Sequence, residues 1–293
     1  MKDNKFENTS YAAHEKFYSG PGNPLTRIEN TETINYWRHQ RMYSMFQPLV
    51  NKNDKWLTVG DGIGTDANWL MKKGTDVMAS DIADNALKMS LEKGHIKKFQ
   101  KENAERLSFA DNSFDFVLCK EAYHHFPRPY LGIYEMVRVA RKGVVLIEPL
   151  DIGIQMPYMV WLKNVLDRFD TKLIDKVWKN RYSFETIGNY VYKISEREIE
   201  KAAMGLNLPA IAFRGFNDYY STKLDLGQPT SNKSIFNKVK SKISRRNFLC
   251  KLGLIPYSLS VTVIFTSKPS TEMLQNLKQN NFKYIELPEN PYL

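Results

Sequence analysis

Only two cysteines, Cys119 and Cys250, occur in the 293 residues. That excludes a disulfide scaffold and points to a reducing compartment. No run approaches the roughly 18 apolar residues of a membrane-crossing helix, and the longest, such as 259–265, are strand-length. The first residues lack the apolar core of a secretory signal, so none is expected and a cytoplasmic location is. Acidic residues are missing altogether between Leu226 and Thr271, a stretch with eight basic ones. The formal net charge of +10 therefore sits almost entirely there, and the rest of the chain is near neutral. Hydrophobic residues at 42% and charged residues at 25% are ordinary for a globular chain with a sizeable core.

Ile235, Phe236, Val239, Ile243, Phe248 and Leu249 interleave the basic residues at rough helical spacing. The pattern predicts a basic amphipathic helix over 233–251. Its cationic face is either plain solvated surface or a contact for an anionic membrane, at the inner face, or for a phosphate-bearing or lipid-linked acceptor. Nucleic acid is disfavoured, because no recognition motif accompanies the charge.

Apolar runs at 55–59, 77–81, 113–119 and 143–147 read as strands, with a weaker one near 97–101. Helical stretches separate them: 66–73, a helix that Asp84 can cap, and 131–140. This alternation predicts an α/β fold, a doubly wound and mostly parallel seven-stranded sheet with its ligands at the carboxyl ends of the strands. Residues 1–50 form a leading helical lid, with Ile34, Trp37, Met42, Met45 and Phe46 on one helix face. Residues 51–148 and 195–268 form the sheet domain, reopened by the capping box Ser195–Glu198 and closed by strands at 210–213 and 260–265. Between them, 149–194 is an aromatic-rich insertion, expected as a substrate cap with most of its rings in the core, and 269–293 is a C-terminal tail.

The strongest constellation is a strand, then Gly60-Asp61-Gly62-Ile63-Gly64, then a helix, with Asp81 ending the next strand. Glycines let the backbone turn sharply and approach a ligand closely. The helix offers free N–H groups and a positive dipole end. A carboxylate at the tip of the second strand can accept both hydroxyls of a ribose. A dinucleotide G-x-G-x-x-G would need glycine at 65, where Thr65 stands, which disfavours an oxidoreductase. Asn103-Ala104-Glu105 follows the third strand, ahead of Asp111-Asn112-Ser113-Phe114-Asp115.

With these motifs the chain resembles the class I S-adenosylmethionine-dependent methyltransferases of the methyltransferase type 11-like kind, over roughly 54–150 and again at 195–213. The resemblance implies S-adenosyl-L-methionine as cofactor and S-adenosyl-L-homocysteine as product. It implies that Gly60, Gly62 and Gly64 cradle the methionine part and ribose, that Asp81 holds the ribose hydroxyls and that Ile82 lies beside the adenine. Asn103, Ala104 and Glu105 would line the adenine edge, and Lys120 would contact the methionine end through its backbone. The family's usual acidic residue two positions before the first glycine is Thr58 here, and Asp61 or Asp66 can compensate toward the cofactor's amine. Tyr18 and His14, beside Gly20-Pro21-Gly22, are lid candidates for the site, and Arg38 is a candidate partner of the cofactor's carboxylate.

A methyl on a sulfonium is already electrophilic, so the enzyme must align an acceptor, exclude water and handle its proton. His124 and His125, just after the fourth strand, are the base candidates, with Glu121 as orienting or binding residue and Glu148 and Asp151 as weaker ones. No His/carboxylate spacing suggests a metal site, so metal independence is expected. Lys120-Glu121-Ala122-Tyr123 replaces the Asn/Asp-Pro-Pro-aromatic motif of base-methylating enzymes, which again disfavours nucleic acid. A small-molecule acceptor is expected, first a sugar hydroxyl of a bacterial surface polysaccharide or glycolipid. The alternatives are a quinone, a secondary metabolite, or a catalytically inactive binding module.

Overall fold

The computed structural model describes residues 11–13, 15–16, 24–178, 182–185, 189–221 and 223–292. Eight strands form one sheet: β1 Lys55–Val59, β2 Asp76–Asp81, β3 Phe99–Lys101, β4 Phe114–Lys120, β5 Ala140–Pro149, β6 Ala210–Phe216, β7 Leu259–Phe265 and β8 Lys283–Glu286. Their order is β3-β2-β1-β4-β5-β7-β6-β8. Strands β1 to β5 pair in parallel, β7 runs antiparallel between β5 and β6, and β8 runs antiparallel on the outer edge of β6. The strand order reverses between β1 and β4, so the crevice at their carboxyl ends is the expected ligand position.

Both faces of the sheet are buried, which is why its strands read as continuous apolar runs. Along β1, Trp56 faces one core while Leu57 and Val59 face the other. The first core is covered by α1 (Ile34–Phe46), through Met42, Tyr43 and Phe46, and by α2 (Thr65–Lys72). Tyr43 stacks on Trp69 at 4.9 Å, locking the leading helix onto the sheet domain. Next in order come α3 (Asn85–Glu92) and α4 (Pro129–Val139), the second of which covers the other core with Ile133 and Met136.

Several expectations change. The sheet has eight strands instead of seven, because the supposed tail folds into α8 (Thr271–Gln279) and β8. Asp84 does not cap α3 with its side chain; it pairs with Lys88 at 2.8 Å instead. The capping box at Ser195–Glu198 does open its helix, α6 (Glu196–Gly205). The insertion leaves after β5 and returns to the same point, where Asp151 N–H donates to the Ile194 carbonyl and Ile194 N–H to the Pro149 carbonyl. Its main helix, α5 (Pro157–Leu166), has no buried residue, and Trp161, Phe169 and Phe184 are 66%, 79% and 70% exposed. These rings are therefore not core: the parts of the insertion that carry them have little to bury them against. The basic helix α7 (Lys233–Lys251) buries only Val239 and Ile243, against Ile34 of α1 and Leu226.

Candidate active site

An open cleft of about 540 Å³ lies at the carboxyl ends of β1, β2 and β4. Gly60, Asp81, Ile82, Ala104, Glu121 and His125 line it, together with Tyr11, Glu102, Ala122 and Phe126. Gly60 has φ 71°, and a Cβ there would lie 2.4 Å from the Cβ of Ala122. The turn can therefore approach the β4 end only as glycine. Gly62 and Gly64 shape the turn behind the cleft, Gly62 by donating its N–H to Asp81 Oδ2 at 2.7 Å. The other oxygen of Asp81 accepts from Ala83 N–H at 2.8 Å. Burial pushes the Asp81 carboxyl upward, and these backbone donors oppose that.

Asp61 points away from the cleft. Its carboxylate accepts the N–H groups of Asp66 and Ala67, both at 2.9 Å, and the Thr58 hydroxyl at 2.9 Å, so it caps α2. Asp66 is also occupied: the Tyr43 hydroxyl donates to it at 2.6 Å, and Lys120 Nζ lies 3.2 Å away. Neither carboxylate is left over for a cofactor amine. Lys120 is buried at the end of β4, with His39 Nδ1 at 3.2 Å and Glu121 at 3.8 Å. Burial works against its charge, and Asp66 and Glu121 more than offset that. Burial and then Lys120 hold His39 well below the usual histidine range, so a neutral imidazole accepts from the ammonium.

Glu121 is the half-buried carboxylate left facing the cleft. It sits at φ 51°, rare for a residue with a Cβ. Its backbone N–H donates to the Ile147 carbonyl at 2.9 Å, which anchors the turn. Burial disfavours its charge, but Lys120 above all, with Arg38, outweighs burial and draws its carboxyl down to about 2.

Two expected cofactor residues have other work. Arg38 is buried and grips Asp218, with Nε at 2.8 Å, while Asn35 Oδ1 lies 3.0 Å from Nη1. Glu105 is clamped by Arg128, from its backbone N–H at 2.6 Å and Nε at 2.8 Å, and Asn103 Oδ1 accepts from Glu105 N–H. Tyr18 and His14 lie outside the described residues. Of the leading segment, Tyr11 reaches the cleft wall and Glu15 pairs with Lys101 at 2.6 Å.

The two histidines differ. His124 is buried, and its Nδ1 lies 2.5 Å from Oε2 of Glu148, a carboxylate with no solvent exposure. The other oxygen of Glu148 accepts the N–H groups of Ala122 and Tyr123, at 2.9 and 3.0 Å. Burial alone would lower His124, but Glu148 outweighs it and raises its pKa. His125 lines the cleft, and Glu185 and Asn189 of the insertion lie 3.0 and 2.9 Å from its Nδ1. Glu148 was only a weak candidate in the sequence. Glu102, Glu185 and Asn189 carried no local signal, since they sit in no motif.

A doubly wound sheet with a Gly-rich turn and a second-strand aspartate converging on one cleft defines a Rossmann-like methyltransferase fold. Residues 57–147 match the family model described as "Methyltransferase domain", and over that stretch the chain is similar to S-adenosylmethionine-dependent methyltransferases. Methyltransferase GfsG of Streptomyces halstedii is 32% identical over 101 residues, covering 32% of this chain and 36% of that protein. Demethylmenaquinone methyltransferase of Chlorobaculum parvum is 26% identical over 171 residues, covering 56% of this chain and 69% of that protein. The chain thus spans about a third of the length of the first relative. A solved methyltransferase from Archaeoglobus fulgidus superposes with a TM-score of 0.49 at 12% identity, over 78% of this chain and 94% of that one.

Proposed function

We propose that this protein transfers a methyl group from S-adenosylmethionine to a small-molecule acceptor. The carrying observation is the cleft at the switch point, with Gly60 at one side and Asp81 at the other. When bound, S-adenosylmethionine supplies a methyl on a cationic sulfur, whose C–S electron pair leaves to sulfur as the acceptor bond forms. The chain's own residues bind and orient. Asp81 keeps acceptor capacity after taking its backbone N–H groups, since a carboxylate offers about four lone-pair sites. Ile82, Ala104 and Phe126 offer apolar surface to a flat base. Glu121, ionised and facing the cleft, serves the cofactor's ammonium in place of Asp61 and Asp66. His125, which lines the cleft, meets the acceptor, with His124 behind it.

For the acceptor, a sugar hydroxyl is the first choice. A groove in the insertion presents Trp178, Tyr182 and Tyr190, and aromatic faces suit sugar rings. The name of the similar demethylmenaquinone methyltransferase favours a quinone as the second choice, with a secondary metabolite beside it. A lipid-linked or phosphate-bearing acceptor would give α7 its role, as a peripheral contact with an anionic membrane. No helix among the described residues is long and apolar enough to cross one.

Calorimetry with S-adenosylmethionine and NAD tests the cofactor. Binding of the first alone is expected, and Asp81→Ala should weaken it about 10- to 100-fold, the loss of charged hydrogen bonds. Unchanged affinity in a folded variant sinks the ribose assignment. A screen of glycan and quinol acceptors, reading S-adenosylhomocysteine release, tests the acceptor: turnover of quinols alone removes the sugar, and cofactor binding without any product leaves a binding module.

A further inference from the structure

We propose that His124, His125 and Glu185 form a divalent metal site at the edge of the cleft, with the side-chain amide of Asn189 as its fourth ligand. One ligand atom from each of the first three lies within 4.8 Å of the others. Glu185 Oε2 is 3.0 Å from His125 Nδ1, and Glu185 Oε1 is 4.0 Å from His124 Nε2. Ligands about 2.1 Å from a shared zinc-like ion stand about 3–3.5 Å apart, so modest closure suffices.

Two linked observations at the Asn189 amide point to a cation there. The first lies at His125 Nδ1, where the Asn189 amide nitrogen at 2.9 Å needs a lone pair on the ring and Glu185 at 3.0 Å needs a proton. No tautomer serves both. A cation between nitrogen and carboxylate does, with the Asn189 amide turned to present its oxygen. That oxygen is the second observation: Asn189 is 6% exposed and its Oδ1 is buried without a hydrogen-bond partner among the described residues. An orphaned buried oxygen of this kind calls for an explanation, and an ion supplies it.

The surroundings fit. Glu148 takes the Nδ1 side of His124, which leaves Nε2 facing Glu185. A carboxylate behind a ligating imidazole is the usual orienting partner of a metal histidine. Two imidazoles with oxygen donors suit Zn²⁺, Mn²⁺, Fe²⁺ or Co²⁺ better than Mg²⁺ or Ca²⁺. The sequence spacing predicts no metal, because Glu185 and Asn189 belong to the insertion and reach the histidines only when it folds back over the end of β4. His125 also lines the cleft, so an ion here would hold an acceptor oxygen beside it. That role rests on the methyl-transfer reading, but the site itself does not.

Co²⁺ titration of the full chain, followed by calorimetry and visible absorption, tests the site. One ion per chain at micromolar affinity is expected, with a ligand-field band. Glu185→Gln, on a side chain 37% exposed, should weaken binding at least tenfold in a variant whose melting shows it folded, and Asn189→Leu should weaken it as well. No saturable binding up to millimolar Co²⁺, or binding that Glu185→Gln leaves unchanged, overturns the site. S-adenosylmethionine calorimetry on the same samples separates the two ideas. Cofactor binding without Co²⁺ binding removes the metal and keeps the methyltransferase. Co²⁺ binding without cofactor binding does the reverse.

Discussion

Glu121 carries a backbone conformation that costs an L-residue about 1–2 kcal/mol, yet it sits at the mouth of the cleft. Strain held in this way clusters at ligand sites. Its charge has a consequence for stability. The folded carboxyl is drawn to about 2, against an ordinary 4.5. A depressed pKa contributes stability fully above the ordinary value and loses it as pH falls toward the folded one. Glu121→Gln should therefore lower the melting temperature at pH 6, and the gap from wild type should narrow between pH 4.5 and pH 3. A gap constant across that range would mean that Lys120 and Arg38 do not hold an ionised carboxylate. Gly60, Asp81 and Ile82 were visible in the sequence because their signals are local, a turn spacing and a strand tip. The partners of Arg38 and Glu105 were not visible. Asp218 lies far along the chain from Arg38, and nothing in either local pattern marks the pair.

Among the elements, α7 makes the clearest prediction. Lys238, Lys240, Lys242 and Arg245 are exposed along it, and Phe248, Leu252 and Leu254 are exposed at its end. Arg246 is different: its Nε lies 3.3 Å from Asn217 Oδ1, so it is left intact. Juxtamembrane basic residues contribute about 1 kcal/mol each toward anionic lipid. Reversing those four should weaken sedimentation with phosphatidylglycerol vesicles by roughly a hundredfold or more, most visibly at low salt. Equal vesicle binding by the reversed chain would return the helix to plain solvated surface. The periodicity of 233–251 foretold this helix and its narrow buried stripe. It did not foretell that the stripe packs on α1, since the matching residue, Ile34, lies more than two hundred residues earlier. The insertion misled for a related reason. Its composition resembles core, but only position on the sheet decides which rings find a surface to cover.

For the molecule as a whole, the outer edge of the sheet is the vulnerable part. Strand β8 covers β6 along 210–213 and brings Leu277, Phe282 and Leu287 into the interior. Burying three such side chains is worth about 1.5–3 kcal/mol each, a large share of the roughly 5–15 kcal/mol that holds a domain folded. Deleting 269–293 also bares the edge of β6 to other chains. The truncated protein should aggregate or lose its cooperative melt, as read by size-exclusion chromatography and calorimetry. A monomer melting within a few degrees of the full chain would show the edge to be dispensable. β8 escaped the sequence because it is four residues long, half exposed and without the apolar run of the central strands.

Residue order alone decided the parallel core, the Gly-rich turn and Asp81. These depend on short-range periodicity and on the φ that only glycine readily adopts. The tertiary structure decided which charges are spent inside the protein and which face the cleft. Asp61 and Asp66 are consumed while Glu121 is left, and two histidines acquire Glu148, Glu185 and Asn189 as neighbours. Pairing and desolvation depend on distances between residues far apart in the chain, and only packing sets those distances.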